Sequence, residues 1–554
     1  MDTESSPALE LRDKLALAGN SLDSDVIELD RGAPEKPAPP QPGLRKRSKT
    51  FWLTLVTLVL SSFMVILETN IIGTAAPTIA DDLKISQFLW IGNTYFLAST
   101  VLMPLCGGLA EIFGRRPVML VSLAIFAVGG AVSGAANGEG MFFTGRIIMG
   151  LGAGGVLTMS SVIVSDMVSL KERGLYNGLL GLAWCAALGV GPVVGGAFAE
   201  RGHWRWMFYM NVPFAGVAAA LVVLLVKLPT PKGSLRSKIE RIDWIGNAII
   251  LGSSTAIVIA LTWGGVQYAW SSYQVLVPLI LGLAGLAGFM VYEAFGAKYP
   301  LVPLILVSNR TSLSGYLQAL VLTMPLAGML GYLPVYYQAC KLASPIASGV
   351  DTFGLAFTVA PFSIITGVII TITKRYRPPI WLGWSLLMLG QGLLSTVKAD
   401  TSRATSIGYQ VLIGSGIGLV FTSAYFPILS PLPVSANAAA LSFYLFLRTF
   451  GQIWGFAIGG TILQNRLTQH LPAEFYDEFP AGVAVAYAAI PRIAGLGEPL
   501  RGQVQNAFAD ALVVVWRAHL IMGAIGLACS LAMRGLPLHD QTDERWDAEH
   551  ENRA

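Results

Sequence analysis

Charge is what this sequence has least of. Asp, Glu, Lys and Arg together make up 13% of its 554 residues, about half the roughly 25% of a soluble domain. A chain this long would fill three or four ordinary soluble domains, and so few charges could not clothe their surfaces. Cysteine is scarcer still: four residues without paired spacing, which excludes a disulfide framework and a cysteine-based zinc site. Cys106, Cys185 and Cys529 fall inside apolar runs and Cys340 near the end of one; all read as small buried hydrophobes. No Gly-Lys dipeptide occurs, so there is no Walker A loop and no ATP drive. His-Glu-x-x-His and a convincing nucleophile triad are absent too; no enzyme, metal or cofactor is expected. The net charge of +4 is too small to argue for nucleic acid.

What the chain has instead is apolar length. Hydrophobic residues reach 54% and the mean hydropathy is +0.60. The 60 glycines and 13 tryptophans suit helices packed closely in lipid with aromatics at the interfaces. From Phe51 onward, apolar runs of about 20 residues recur, each able to cross a ~30 Å hydrocarbon core. They fall near 52–74, 88–109, 118–136, 142–165, 175–198, 206–226, 244–263, 274–294, 312–335, 350–372, 380–397, 405–427, 437–462 and 512–533. The eleventh carries the faintest signal. Fourteen runs make an all-α polytopic membrane protein with both termini on one side.

Lys and Arg near the run ends choose that side. Arg45, Lys46, Arg47, Lys49, Arg115, Arg116, Lys171, Arg173, Arg241, Lys374 and Arg375 fall on the face that holds the N-terminus. The short loops opposite hold only Lys84, Arg201, Arg205, Lys341, Lys398 and Arg403. Both termini are therefore expected in the cytoplasm, and the sequon at Asn309 lies inside, where it stays unused. Residues 1–50, with a proline-rich stretch and a basic cluster, read as a disordered cytoplasmic tail rather than a signal peptide. The rest divides into a six-helix half at 51–226, a linker with two inserted helices at 227–300, and a second half at 301–535. An outer loop is expected at about 464–511 and a cytoplasmic tail at 536–554.

Several stretches carry chemistry. Between the second and third runs, Gly107-Gly108-Leu109-Ala110-Glu111-Ile112-Phe113-Gly114-Arg115-Arg116-Pro117 sets one carboxylate and two guanidinium groups at a tight turn that needs glycine. In the fourth run, Arg146 precedes Gly150-Leu151-Gly152-Ala153-Gly154-Gly155. Those glycines satisfy a dinucleotide fingerprint, but they lie within a membrane-spanning run rather than after a strand, so no nucleotide site follows. They read as a groove for close helix contact. Arg146 is either a functional intramembrane cation or a side chain snorkelling to the interface. The fifth run holds Gly189-Val190-Gly191-Pro192-Val193-Val194-Gly195-Gly196, where proline removes a backbone hydrogen bond and glycines permit sliding contact.

The first of these stretches resembles the cytoplasmic loop signature of the major facilitator superfamily, with Glu111 where aspartate is usual and Ile112 at a position often basic. The fifth-run element resembles the G-P-x-x-G-G kink of proton-coupled antiporters in that superfamily. Further stretches resemble its fourteen-helix drug:proton antiporters, fungal members especially. These are Trp204 to Pro213, Asp243 to Gly246, Trp263-Gly264-Gly265, Tyr332 to Gln338, and Leu67-Glu68-Thr69-Asn70-Ile71-Ile72-Gly73. Glu68 and Gly73 replace the family's aspartate and asparagine. The likeness covers roughly residues 50–535.

The resemblance implies two six-helix halves that rock about a midplane cavity, exporting a small organic, amphiphilic molecule in exchange for protons. Toxins, drugs, secondary metabolites, glycolipids and organic acids are all candidates. The alternative is a dedicated siderophore or metabolite carrier, with a channel or scaffold behind it. Glu68 lies about 24 Å along its helix, within lipid depth, where a carboxylate can load and release a proton; Arg146 enters at similar depth. Their competing role is a structural pair. Gly107, Glu111, Gly114, Arg115, Arg116 and Asp166 would form the cytoplasmic gate, with an Arg115–Asp166 pair at the headgroups contributing about 0–1 kcal/mol. Gly191, Pro192, Gly195 and Gly196 would form the kink. Asn70, Tyr95, Gln338, Arg448 and Gln452 are the candidates for substrate contact, though backbone carbonyls would serve Arg448 equally. The expected partners are substrate, protons and lipid, and the expected state is a monomer in the plasma membrane, with the vacuolar membrane as the other location.

Overall fold

In hydrocarbon a backbone must satisfy its own hydrogen bonds, and a single apolar run achieves this only as a helix. The computed structural model of the chain obeys this throughout. It describes residues 48–85, 90–168, 170–226, 231, 234–265, 267–478 and 490–538; most of both expected tails, and residues 479–489 of the last loop, lie outside the described residues. Among the described residues, fourteen long helices follow in order: α1 Lys49–Leu83, α2 Trp90–Phe113, α3 Arg115–Gly134, α4 Glu139–Met167, α5 Leu170–Glu200, α6 Asn211–Leu225, α7 Trp244–Trp263, α8 Tyr273–Phe295, α9 Arg310–Lys341, α10 Phe353–Thr373, α11 Arg377–Leu394, α12 Arg403–Ser423, α13 Asn437–His470 and α14 Leu500–Leu531. A short helix, Arg205–Tyr209, leads into α6, and another, Pro345–Val350, leads into α10.

Among the described residues, twelve helices are long and apolar enough to cross a membrane. The two long helices outside that set are α11, which starts Arg377-Pro378-Pro379, and α13, which carries Asn437, Arg448, Gln452 and Arg466. Both are packed among the others: α11 against α12 and α14, α13 against α9, α2 and α14. Exposed leucines and isoleucines such as Leu224, Ile280, Leu281 and Ile372 point outward, as a lipid-facing surface requires.

Several helices overrun the expected runs: α1 continues past 74 to Leu83, and α13 and α14 shorten the loop between them. The loop expected at about 464–511 is narrower, because α13 continues to His470 and α14 begins at Leu500. At 32 residues α14 is about 48 Å long, more than lipid demands. Its polar first turns are held against the end of α9, where Gln505 donates to the Cys340 carbonyl at 3.1 Å.

Caps mark several helix starts. Asp243 accepts from the Gly246 amide at 2.9 Å to open α7. Asn309, the sequon residue, accepts from the Thr311 amide at 2.8 Å to open α9. Gly114 holds φ 95° between α2 and α3, a conformation other residues rarely adopt.

The helices form two bundles. In the first, α4 packs between α2 and α3, and α6 lies on α3; in the second, α13 and α14 pack on α9, and α10 and α11 on α12. The bundles meet where α5 lies along α10 and α2 along α13. Helices α7 and α8 pack on each other, and α7 touches α2 and α13 from the edge. The glycines of α4 explain its closeness to both neighbours. A Cβ at Gly150 or Gly154 would lie 2.4 or 2.3 Å from the Tyr95 or Ser99 carbonyl of α2, and one at Gly152 would lie 2.4 Å from the Phe126 amide of α3. The fingerprint-like spacing is a two-sided packing surface.

Candidate functional site

A cavity of about 420 Å³ lies between the bundles. Its wall is mostly apolar, with Val65, Ile66, Phe96, Met103, Leu157 and Leu330 among its residues. All five candidates for substrate contact line it: Asn70 of α1, Tyr95 of α2, Gln338 of α9, and Arg448 and Gln452 of α13. The last two are one turn apart and so share a face. The backbone alternative for Arg448 fails among the described residues. Its guanidinium lies over the rings of Phe421, Tyr444 and Trp184, at 3.8, 5.3 and 5.9 Å, and Nη1 donates to Tyr444 Oη at 3.4 Å.

Behind the wall, Glu68 and Arg146 are 1% and 0% exposed, so Arg146 does not snorkel. Its Nη1 donates to Glu68 Oε1 at 2.7 Å, and its Nε to the Ile91 carbonyl at 3.3 Å. Asn211 of α6 donates to the other carboxylate oxygen at 2.7 Å. The cluster thus joins α1, α4 and α6, with α2 supplying the Ile91 carbonyl. Arg146 Nη2 has no hydrogen-bond acceptor among the described residues; the guanidinium instead lies 4.6 Å from the Tyr95 ring and 5.9 Å from that of Phe208, a geometry in which ring faces attract the cation. Tyr95 therefore forms both a wall of the cavity and the cover of the ion pair.

The loop motif packs against α4, α6 and α13, with one correction to what was expected of it. Arg115 Nε meets Asp166 Oδ2 at 3.0 Å and Nη1 donates to the Ala110 carbonyl at 2.9 Å. The pair is not exposed at the headgroups as expected: the side chains are 2% and 3% exposed, because the tight turn at Gly114 folds Arg115 in against α4 rather than out to water. Arg116 turns the other way and donates to the Val223 carbonyl at 2.8 Å, while Glu111 is exposed. Gly107 lets α2 approach α13: a Cβ there would lie 2.5 Å from Ser442 Oγ.

The kink motif lies at the other end of the bundle contact. Helix α5 is unbroken through Pro192, whose carbonyl accepts from Thr74 Oγ1 at 3.2 Å. A Cβ at Gly191 or Gly195 would lie 2.6 or 2.3 Å from Asn70 Cβ or the Ile71 carbonyl, so one face of α5 is pressed on α1. Gly196 faces Ile346, and Pro192 lies against Gly349, both across the bundle interface. Nearby, hydrogen bonds from Trp204 and Arg205 to Asp82, at 3.0 and 2.9 Å, fix the start of the Trp204 to Pro213 stretch and hold the Asp82 carboxyl below the usual carboxylate range.

The tight glycine-arginine loop and the cavity between two bundles accord with the family that the loop motif resembles, and residues 58–456 match the family model described as Major Facilitator Superfamily. The chain belongs to the Major Facilitator Superfamily. Among relatives, the MFS-type efflux pump LUC4 of Fusarium sp is 37% identical, over 97% of this chain and 96% of that one. The acurin A biosynthesis cluster MFS-type transporter of Aspergillus aculeatus is 38% identical, over 93% and 94%. Among solved structures, the proton:xylose symporter XylE bound to 6-bromo-6-deoxy-D-glucose matches with a TM-score of 0.56 at 12% identity, over 89% of this chain and 98% of that one; this likeness is one of fold.

This Major Facilitator Superfamily member is thus a multi-pass membrane transporter with the superfamily's two-bundle fold and an inserted helix pair. Sequence reasoning missed two parts of its site. Asn211 was inside a quoted stretch, but nothing along the chain tied it to Glu68, 143 positions away. Trp184, Phe421 and Tyr444 around Arg448 were ordinary aromatics in apolar runs, without a spacing signal.

Proposed function

We propose that the transporter exports a small organic, amphiphilic molecule, a fungal secondary metabolite or toxin, in exchange for protons that enter the cell. The observation that carries this reading is the Glu68–Arg146–Asn211 cluster, separated from the cavity by the Tyr95 ring. A carboxylate held by a cation and an amide, yet one ring away from the substrate space, is placed so that protonation and substrate occupancy influence each other. Protonating Glu68 would release Arg146, whose hold on α1, α4 and α6 would loosen. Export, rather than import, is supported by relatives named as efflux pumps and as a biosynthesis-cluster transporter. No ATP-binding loop exists to supply the energy, so the proton gradient takes that role.

In this reading the Arg115 face is cytoplasmic, both termini are inside, and the protein works as a monomer in the plasma membrane. The two halves at 51–226 and 301–535 rock as units, with the Arg115–Asp166 gate and the Gly191-Pro192 segment at opposite ends. The competing reading keeps Glu68 as a purely structural partner of Arg146. Purified protein in vesicles separates them: substrate-driven proton movement is expected from the wild type and not from Glu68→Gln, which should still fold and bind. Full gradient-driven transport by Glu68→Gln would end the coupling role.

A further inference from the structure

We infer that the cavity recognises an organic anion, an apolar molecule bearing one carboxylate or similarly acidic group, and that Arg448 is the group that reads the charge. This rests on the export reading and names the class of molecule exported. The transporter has two intramembrane arginines in its site, and their surroundings differ. Arg146 is sealed from the cavity and answered by Glu68. Arg448 lines the cavity, is the sole charged side chain in its wall among the described residues, and has no Asp or Glu within ion-pair distance there.

An unanswered cation at lipid depth is costly, and the protein offsets only part of that. Three ring faces surround the guanidinium, the nearest being Phe421 at 3.8 Å. Phe421 and Tyr444 belong to the second bundle and Trp184 to α5 of the first, so the cage exists only where the bundles meet. Rings stabilise the plane of a guanidinium but do not accept from the N–H groups at its edge. Of its five N–H donors, one makes a long 3.4 Å bond to Tyr444. A flat cation flanked by ring faces on the wall of a cavity, with most of its donors not taken by Tyr444, is suited to take a carboxylate by two parallel hydrogen bonds.

The other classes fit worse. A cationic cargo would meet Arg448 with no carboxylate in the described wall to balance it. A neutral cargo would leave the guanidinium desolvated and unpaired, a penalty that grows as the cavity closes. Gln452, on the same face of α13, and Asn70 offer neutral polar contacts for the remainder of the molecule. Anion exit and proton entry also move charge in the same direction, so a negative-inside potential would drive both.

The test compares pyrenebutyrate, pyrenebutanol and pyrenebutyl-trimethylammonium on the full chain in lipid nanodiscs. Binding is read as energy transfer from tryptophan, Trp184 included, after subtracting protein-free discs. The wild type should prefer the carboxylate over the alcohol by about tenfold or more, and exclude the ammonium. In Arg448→Gln the carboxylate-to-alcohol ratio should fall to near one, while Arg448→Lys should keep part of it. Equal binding of all three probes, preference for the ammonium, no binding of any probe, or an unchanged ratio in Arg448→Gln would overturn the proposal. If Arg448→Gln fails to fold, the wild-type ranking and the lysine variant still decide. Efflux of each probe under a proton gradient is measured separately. Gradient-driven efflux of the alcohol or ammonium without carboxylate preference would sink the anion class and leave export standing. Carboxylate preference without gradient dependence would do the reverse.

Discussion

Glu68 and Arg146 form a buried pair, and buried pairs behave asymmetrically when disturbed. Removing one partner strands the other charge in low dielectric, at a cost of about 3–5 kcal/mol. Arg146→Met should therefore lower the melting temperature and the yield sharply, since Glu68 would retain only the Asn211 amide. The double variant Arg146→Met with Glu68→Gln should recover much of that loss, because neither side then holds a charge. Thermal melting in detergent of both singles and the double checks this; a double variant as unstable as Arg146→Met would show that the pair is not the source of the defect. Glu68→Gln should also lower the melting temperature, though less than Arg146→Met, because its amide oxygen still accepts one of the two hydrogen bonds while Arg146 loses its countercharge; its transport defect is therefore measured on the folded fraction. The glutamate itself was legible along the chain, as a carboxylate within a run that lipid must surround. Its partners were not, since Arg146 and Asn211 stand 78 and 143 positions away.

Helices in this protein are positioned by what their glycines leave out. A Cβ at Gly152 would lie 2.4 Å from the Phe126 amide, whereas one at Gly252 in α7 meets nothing within 4 Å. Gly152→Ala should therefore reduce folded yield, while Gly252→Ala should be neutral or stabilising by up to about 1 kcal/mol through helix propensity. Size-exclusion profiles of the two variants check it; equal behaviour would refute the two-sided packing role of α4. In α5 the same logic makes Gly195→Leu disruptive, because Ile71 of α1 cannot withdraw its backbone. Pro192→Ala is different. It restores a backbone donor at a cavity-lining position, so turnover should slow or passive proton leak rise with little change in melting, and efflux and leak in vesicles would show which. The glycine spacing was readable in the sequence, but the neighbour each glycine faces was not: Gly191 and Gly195 look to α1, Gly196 to the other bundle.

At the scale of the whole molecule, the gate and the sidedness are the quantities to measure. The Arg115–Asp166 pair ties the α2–α3 turn to α4. Asp166→Asn keeps an acceptor but removes the charge, and should shift the resting balance toward opening on the Arg115 face. A cysteine replacing Ser165, which lines the cavity beside Asp166, should then react faster with an alkylating reagent supplied from that face. Unchanged reactivity together with unchanged transport would exclude the gate. Sidedness is checked with an impermeant maleimide on intact cells. A cysteine replacing the exposed Glu474, between α13 and α14, should label at once, and one replacing the exposed Lys374, between α10 and α11, only after permeabilisation. The opposite pattern would invert the topology and with it the direction of export.

The sequence by itself determined the helices, because a bilayer-length apolar run has no other way to satisfy its backbone. It determined that helices would pack tightly, through glycine spacing, and it marked Glu68, Arg146 and Arg448 as costly residues needing a reason. Even the faint eleventh run was there to be read: α11 is a helix of 18 residues whose arginine and two prolines dilute its apolar signal. Only the tertiary structure decided what those residues meet. It sealed Arg146 against Glu68 and left Arg448 facing a cavity among rings from both bundles, and it buried the Arg115–Asp166 pair that the sequence placed at the headgroups. Backbone satisfaction and helix length are local properties of a run. Which charge is answered, and by what, depends on contacts between residues tens to hundreds of positions apart, and no periodicity along the chain encodes them.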